Sequence, residues 1–295
     1  MIKASIIIPH YNQVRFLKTV LPSIANQTFK DYEVLIIDDC TPDESAIDYI
    51  KAFIRDYSNM HLIENTKNMR FIKTVNKGIK LARGEYICLL NCDTEVKSNF
   101  VERNIEILDT DPSIAGVSCV LLDKMGNNWW SGGIFREGVQ FNLTDDFEGI
   151  RDIDFVAGTA AFYRRKIFDE IGLFDESYRM YHEDVEFGLR IKFRTEYRTC
   201  AFCDKLVIHY HERSIPSTEL AYLLIRNHVL MVRKYYPTLL PKVTYVYAKN
   251  TFRTLANDAL GLHPNLFLWH LTIPRAVLAG LLKMPSKPPK LVKYL

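Results

Sequence analysis

The sequence predicts an α/β architecture: a mostly parallel sheet flanked by helices, with a helical extension at its C-terminal end. Three observations carry this. Over the first 120 residues, short apolar runs alternate with segments of helical spacing, and strands separated by helices pair in parallel with both faces covered. Three of the runs end in polar residues, Pro9-His10-Tyr11-Asn12, Asp38-Asp39 and Asn91-Cys92-Asp93; ligands of such sheets bind beyond the carboxyl ends of the strands. From Thr218 onward apolar residues recur at helical spacing, interrupted by Pro237, Pro241, Pro264 and Pro274.

The elements follow in order. ASIII (4–8) is a β-branched strand ended by Pro9, and Val14, Leu17, Leu21 and Ile24 mark a helix. YEVLII (32–37) is the second strand. Residues 43–57 read as a helix with Asp43 as N-cap and Ile47, Ile50 and Ile54 on one face. MHLIE (60–64) is a third strand. Phe71, Val75, Ile79 and Ala82 lie on a helix stopped by Gly84, and EYICLL (85–90) leads into NCDTEV. Residues 123–153, rich in Gly, Asn and Trp, read as long loops or a hairpin. FVAGTAAFYRR (155–165) resumes a buried pattern before a helix near 166–171. YHEDVEFGLRIKF (181–193) is a helix with acids in its first turn, where its dipole favours them. LVIHYH (206–211) is a late strand.

Length and composition narrow the function. A chain of 295 residues, 48% hydrophobic and 25% charged, buries a sizeable core and is neither disordered nor collagen-like. No apolar run reaches the roughly 18 residues of a membrane-spanning helix. MIKASIIIPHYN lacks the apolar segment and cleavage site of a signal peptide, which predicts a cytosolic chain. Six scattered cysteines then stay thiols; Cys200 and Cys203 form a lone C-x-x-C without the further ligands of a zinc site. The net charge of +3 is unevenly spread. Residues 216–295 hold eleven Lys/Arg against two acids, a net +9, which leaves −6 for residues 1–215. An acidic front suits a cation. A basic tail rich in aliphatic residues suits an anionic membrane surface better than nucleic acid.

Several residues have types and positions that suit chemistry. Asp93, after an apolar strand, suits a divalent cation bridging phosphates, or caps the next helix. Asp38-Asp39 suits a base or ribose, or loop solvation. Glu183-Asp184, opening a helix, suits proton acceptance from a hydroxyl, or complements the dipole. His209 and His211 alternate on one strand face, and either suits a metal. No G-x-x-x-x-G-K-[ST], G-x-G-x-x-G or G-x-S-x-G occurs, so phosphate charge must be met by a metal and not by a glycine loop.

The joint order of SIIIPHYN, YEVLIIDDCTPDES, KGIKLARGEYICLLNCDTEV, FVAGTAAFYRRKIFDEIGLFDESYRMYHEDVEFGLRIKF and LVIHYH resembles the motifs of family-2 glycosyltransferases with the GT-A fold, a Rossmann-like sheet. It is most similar to the rhamnosyltransferase-like branch that builds bacterial surface polysaccharides. The resemblance covers about residues 3–215, which makes 1–215 the catalytic domain and 216–295 a basic helical region. It implies that Pro9, Tyr11, Asn12 and Asp39 line the nucleotide pocket and that Arg70 and Asn76 lie near the diphosphate. Asn91 and Asp93 occupy the D-x-D positions, with Asn91 in place of the first acid. Asp93 and His209 would hold Mg²⁺ or Mn²⁺, and Asp184 would be the general base, with Glu183 as its fallback.

The resemblance further implies an inverting transfer from a nucleotide-diphosphate sugar to a glycan acceptor, polyprenyl-linked, at the inner face of the cell membrane. The acceptor side would be formed by Glu183 and by Trp129 and Trp130 within the specificity segment 123–153. Nucleic acid is not an expected partner; a homo-oligomer is compatible with the pattern. Two other classes share parts of this pattern. A nucleotidyltransferase needs a glycine-rich basic loop after its first strand, which PHYNQVRF lacks. A non-catalytic carbohydrate-binding scaffold would not require Asp93, Asp184 and His209 together.

Overall fold

A computed structural model describes residues 2–210, 217–259 and 267–282. Its centre is a ten-stranded sheet. In chain order the elements are β1 (Ala4–His10), α1 (Val14–Ala25), β2 (Tyr32–Asp38), α2 (Glu44–Ile54), β3 (Met60–Glu64), α3 (Phe71–Leu81), β4 (Tyr86–Leu90), β5 (Thr94–Val96), α4 (Phe100–Thr110), β6 (Ile114–Leu122), β7 (Asn128–Trp130), β8 (Gly133–Arg136), β9 (Val139–Asn142), β10 (Ile150–Ile153), β11 (Ala160–Arg164), α5 (Arg165–Ile171), α6 (Glu183–Arg194) and β12 (Arg198–His209). The helices α7 (Ser217–Tyr235), α8 (Leu240–Ala259) and α9 (Phe267–Leu282) follow.

The strand order is β10-β12-β6-β11-β4-β1-β2-β3, with β5 paired to β12 and β7 to β6. β4, β1, β2 and β3 run parallel, as the strand–helix alternation predicts. The other half is mixed: β11 enters antiparallel between β4 and β6, while β12 is parallel to β6. β1 and β4 are buried throughout apart from a half-covered Pro9, because helices cover both faces of a crossover sheet. Asp43 caps α2 as predicted, accepting from Ser45 N at 3.0 Å. Gly84 is required by close approach: a Cβ there would lie 2.5 Å from the backbone of Ala4 and Ser5.

The chain divides into two compact units. One comprises residues 1–134, 141–179 and 183–212; the other comprises 135–140, 180–182 and 213–295. In the second, α9 packs on α7 and α8. Ile273 and Ala276 are buried, and a Cβ at Gly280 would lie 2.7 Å from Arg226 O. These positions share one face of α9; Leu278 and Leu282, on the rest of it, are exposed. Among the described residues no helix is long and apolar enough to cross a membrane.

Candidate functional site

The site begins with the turns after β1 and β2, which hold each other. His10 Nδ1 pairs with Asp38 Oδ1 at 3.0 Å, Thr41 N donates to Asp38 Oδ2 at 3.0 Å, and Asn12 N donates to Thr41 Oγ1 at 3.0 Å. The Asp38 carboxyl is held below its usual range by the His10 and Thr41 hydrogen bonds, which outweigh the opposing, largest single effect of burial. Asn12, Cys40 and Arg70 all have left-handed φ, at 54°, 62° and 70°. Three such non-glycine residues, in the connections that follow β1, β2 and β3, are a conformational cost that packing must sustain, as functional sites often require.

The residues expected to face the nucleotide differ in what they offer. Tyr11 and Asn12 are exposed and Pro9 is half-buried. Asp39 is buried, and its carboxylate organises the following loop, accepting from Asn65 Nδ2 (2.9 Å), Met69 N (2.7 Å) and Arg70 N (2.8 Å). Asp39 thereby sets the backbone from which the exposed Arg70 opens α3. Asn76 is buried in α3, and its amide brackets Phe174, donating to Phe174 O (2.9 Å) and accepting from Phe174 N (3.2 Å). It braces the loop before α6.

Asp93 and His209 are brought together by the sheet. β5 runs antiparallel to β12 with His209 opposite Thr94, and Tyr210 N donates to Asp93 O at 2.9 Å. Asp93 Oδ2 and His209 Nε2 are 3.2 Å apart, in a place that leaves both side chains about nine-tenths buried. A hard divalent cation with bonds of about 2.1 Å sets neighbouring ligands about 3 Å apart, so the spacing and the oxygen–nitrogen donor set fit one. Among the described residues no cluster of three or more His, Cys, Asp or Glu accompanies them. The alternative ligand, His211, lies outside the described residues.

Asp184 lies in the first turn of α6, only 8% exposed. Its Oδ2 accepts from Gly158 N at 3.1 Å and its Oδ1 from Val185 N at 2.8 Å. Burial pushes its carboxyl above the usual 3.8, against the pull of those N–H groups. One residue along, Thr159 O accepts from Asn91 N at 2.8 Å. The Ala157–Thr159 segment thus holds Asp184 on one peptide and the Asn91-Cys92-Asp93 turn on the next. Gly158 is fixed by this proximity, since a Cβ there would lie 3.0 Å from both Cβ and Oδ2 of Asp184. Sequence reasoning did not single out Gly158 or Thr159; the only signal was a lone Gly-Thr between apolar residues.

Trp129 is 42% exposed. Trp130 is not presented in the same way: it packs on the core, lies tilted by 54° against Phe155 at 6.4 Å between ring centroids, and donates from Nε1 to Gly132 O at 2.8 Å. Glu183 opens α6 and is half-buried.

This sheet, with its carboxyl edge carrying the turns after β1 and β2, the Asn91–Asp93 turn and a buried aspartate, is the GT-A architecture. The chain belongs to glycosyl transferase family 2, whose model matches residues 5–172. It is 29% identical over 190 residues to the uncharacterized glycosyltransferase YwdF of Bacillus subtilis, covering 64% of this chain and 67% of that one. It is 24% identical over 196 residues to the amylovoran biosynthesis glycosyltransferase AmsB of Erwinia amylovora, covering 64% of each. A 104-residue stretch is 36% identical to the poly(ribitol-phosphate) beta-glucosyltransferase of Bacillus spizizenii, covering 34% of this chain and 16% of that one. The chain therefore spans about two thirds or less of the curated relatives it matches. In fold it resembles GalNAc-T7, solved with UDP, GalNAc and Mn²⁺ (TM-score 0.68, 16% identity, 94% of this chain and 54% of that one). It also resembles residues 1–349 of S. aureus TarS with UDP-GlcNAc (TM-score 0.60, 16% identity, 93% and 81%).

Proposed function

We propose that this chain is an inverting glycosyltransferase that moves a sugar from a nucleotide-diphosphate sugar to a hydroxyl of a lipid-linked surface glycan. The observation that carries the reading is the Ala157–Thr159 segment, which holds a buried carboxylate beside the Asn91–Asp93 turn. In this reading the turns at Pro9–Asn12 and Asp39–Arg70 receive the nucleotide, and Asn76 steadies the loop that leads to α6. Asp93 and His209 would hold a Mg²⁺ or Mn²⁺ ion, which when bound neutralises the departing diphosphate.

Asp184 takes the proton of the acceptor hydroxyl. Its raised pKa makes it a stronger base than an exposed aspartate, and its two backbone donors fix its orientation. The acceptor oxygen bonds to the anomeric carbon as the bond from that carbon to the diphosphate oxygen breaks. The proton ends on Asp184 and the electron pair on the nucleoside diphosphate. One displacement inverts the configuration. Trp129 offers an exposed aromatic face to an acceptor sugar, with Glu183 and Trp130 nearer the protein interior.

The neighbours solved with UDP and UDP-GlcNAc make uridine diphosphate sugars the first donors to test. A panel of uridine and thymidine diphosphate sugars should give metal-dependent release of nucleoside diphosphate that EDTA abolishes. Asp184→Asn should slow turnover by roughly 10²–10⁴-fold while UDP affinity changes little. Undiminished turnover in EDTA removes the metal from the reading, and near-normal turnover of the variant removes the base.

The C-terminal region is read as the attachment to an anionic membrane at the cytoplasmic face. Residues 259–295 hold five basic residues and no acid, and α9 leaves Leu278 and Leu282 exposed.

A further inference from the structure

Asp93 and His209 meet where the sheet pairing is short. β5 faces β12 over three residue pairs, and His209, opposite Thr94, stands at the end of them. The last pair of a short ladder opens most readily, yet Asp93 Oδ2 and His209 Nε2 lie 3.2 Å apart. The residue after His209 closes the ladder. Tyr210 N donates to Asp93 O at 2.9 Å, and the Tyr210 hydroxyl donates to Glu95 Oε2 at 2.6 Å. The Tyr210 ring stacks on that of Phe16 in α1, with centroids 6.1 Å apart and planes at 30°. α1 holds the other strand as well. Val96 N donates to Ser23 Oγ at 3.2 Å, and the buried Gln27 donates from Nε2 to Lys97 O at 2.9 Å. Phe16 and Ser23 are seven residues apart, so one face of α1 supports both sides of the pair.

The hydroxyl bond therefore joins the two segments that carry Asp93 and His209. Glu95 is two residues beyond one, and Tyr210 is one residue beyond the other. We infer that Tyr210 is a positioning residue for the cation site: anchored on Glu95 and Phe16, it keeps the end of β12 closed and seats the His209 imidazole against Asp93. The inference rests on the reading of Asp93 and His209 as ligands of one divalent cation. Tyr210 acts through its neighbour and need not touch the ion. Residues that orient metal ligands in this way typically contribute roughly 10- to 100-fold in metal affinity.

The test uses the full chain with MnCl₂ in the presence of UDP, free Mn²⁺ being read from its electron paramagnetic resonance signal. Tyr210→Phe keeps the ring and loses the hydroxyl; it and Glu95→Ala should each weaken Mn²⁺ binding about tenfold. Tyr210→Leu, which loses the stacking too, should weaken it further. Tyr210→Phe combined with Glu95→Ala should be no worse than either alone, because both break the same hydrogen bond. Glu95→Gln removes the charge but keeps an acceptor, so it should recover most of the loss seen with Glu95→Ala. If Tyr210→Leu does not accumulate folded, Tyr210→Phe and Glu95→Ala carry the comparison. A lowered melting temperature with unchanged Mn²⁺ affinity overturns the inference, since that is what a merely structural bond would give. Additive losses in the double variant, or a loss in Glu95→Gln as large as in Glu95→Ala, overturn it too. Asp93→Ala measured alongside separates the two claims. If it loses Mn²⁺ while the Tyr210 variants do not, the positioning role alone fails; if it binds Mn²⁺ as before, the cation reading fails and the inference with it.

Discussion

Burial raises the pKa of Asp184 above the usual 3.8 even though two backbone N–H groups favour its charged form. A base must be ionised to act, so turnover should fall as the pH drops through that raised value. A kcat–pH profile should show an acid limb whose midpoint lies above 3.8, and Asp184→Asn should abolish the limb. The stability effect has the opposite sense. A carboxyl with a raised folded pKa favours the fold in its protonated form, so that contribution is complete below about 3.8 and is lost as the pH rises through the folded pKa. A limb centred at or below 3.8 would contradict the assignment. At this scale the sequence places the polar strand ends and the Glu183-Asp184 pair correctly on their elements. Gly158 stays hidden there, because what fixes it is the 3.0 Å approach of Asp184, a residue 26 positions away. Trp130 reads like Trp129 in sequence; only the neighbouring Phe155 and Gly132 turn it inward.

Short apolar runs bounded by turn residues, and helices with a clean period, are legible in the sequence; longer or interrupted strands are not. MHLIE (60–64) matches β3 residue for residue. β6, nine buried residues without alternation, gives no period to read. β12 begins at Arg198, well before LVIHYH, because Asp204 and Lys205 interrupt its apolar run where the register with β6 shifts between Ala201 and Lys205. Within 123–153 the strands are three or four residues long, too short for periodicity. The ring pair of His182 with His228 of α7 carries a prediction at this scale. Burial pushes His182 down to about 3, with His228 adding to the effect, and burial lowers His228 as well. Groups with depressed folded pKa values give stability that is present above the usual 6.5 and lost as the pH falls through the folded values. The melting temperature should therefore decline between pH 6.5 and about 3, by about 2–4 °C per kcal/mol for a chain of this size. His182→Gln should flatten part of that decline; an identical decline in the variant would contradict it.

For the whole molecule, the charge split offers a test of membrane attachment. The sequence suggests cutting the chain near residue 258, but α9 covers α7 through Ile273, Ala276 and Gly280. Such a cut would uncover Ile225 and Val229, which are at most 9% exposed. Substitution on the exposed face is the cleaner experiment. The full chain should pellet with anionic vesicles and not with zwitterionic ones, and added salt should release it, since each basic residue near the surface contributes about 1 kcal/mol. Leu278→Asp with Leu282→Asp should abolish pelleting without lowering donor turnover. Equal partitioning of both proteins would end the membrane reading.

The antiparallel entry of β11 also has a consequence for synthesis. β4 and β6 become joined only when residues 160–164 arrive between them, and β5 waits for a partner in residues 207–209. A nascent chain that has cleared the ribosome to residue 150 can complete the local β1–β4 half. It still presents the open edge of β4, a place where strands of other chains can add. Asp93 meets His209 only after more than a hundred further residues have been made. The parallel half of the sheet can thus form early in translation, while the pairing of Asp93 with His209 cannot exist until the last strand is in place.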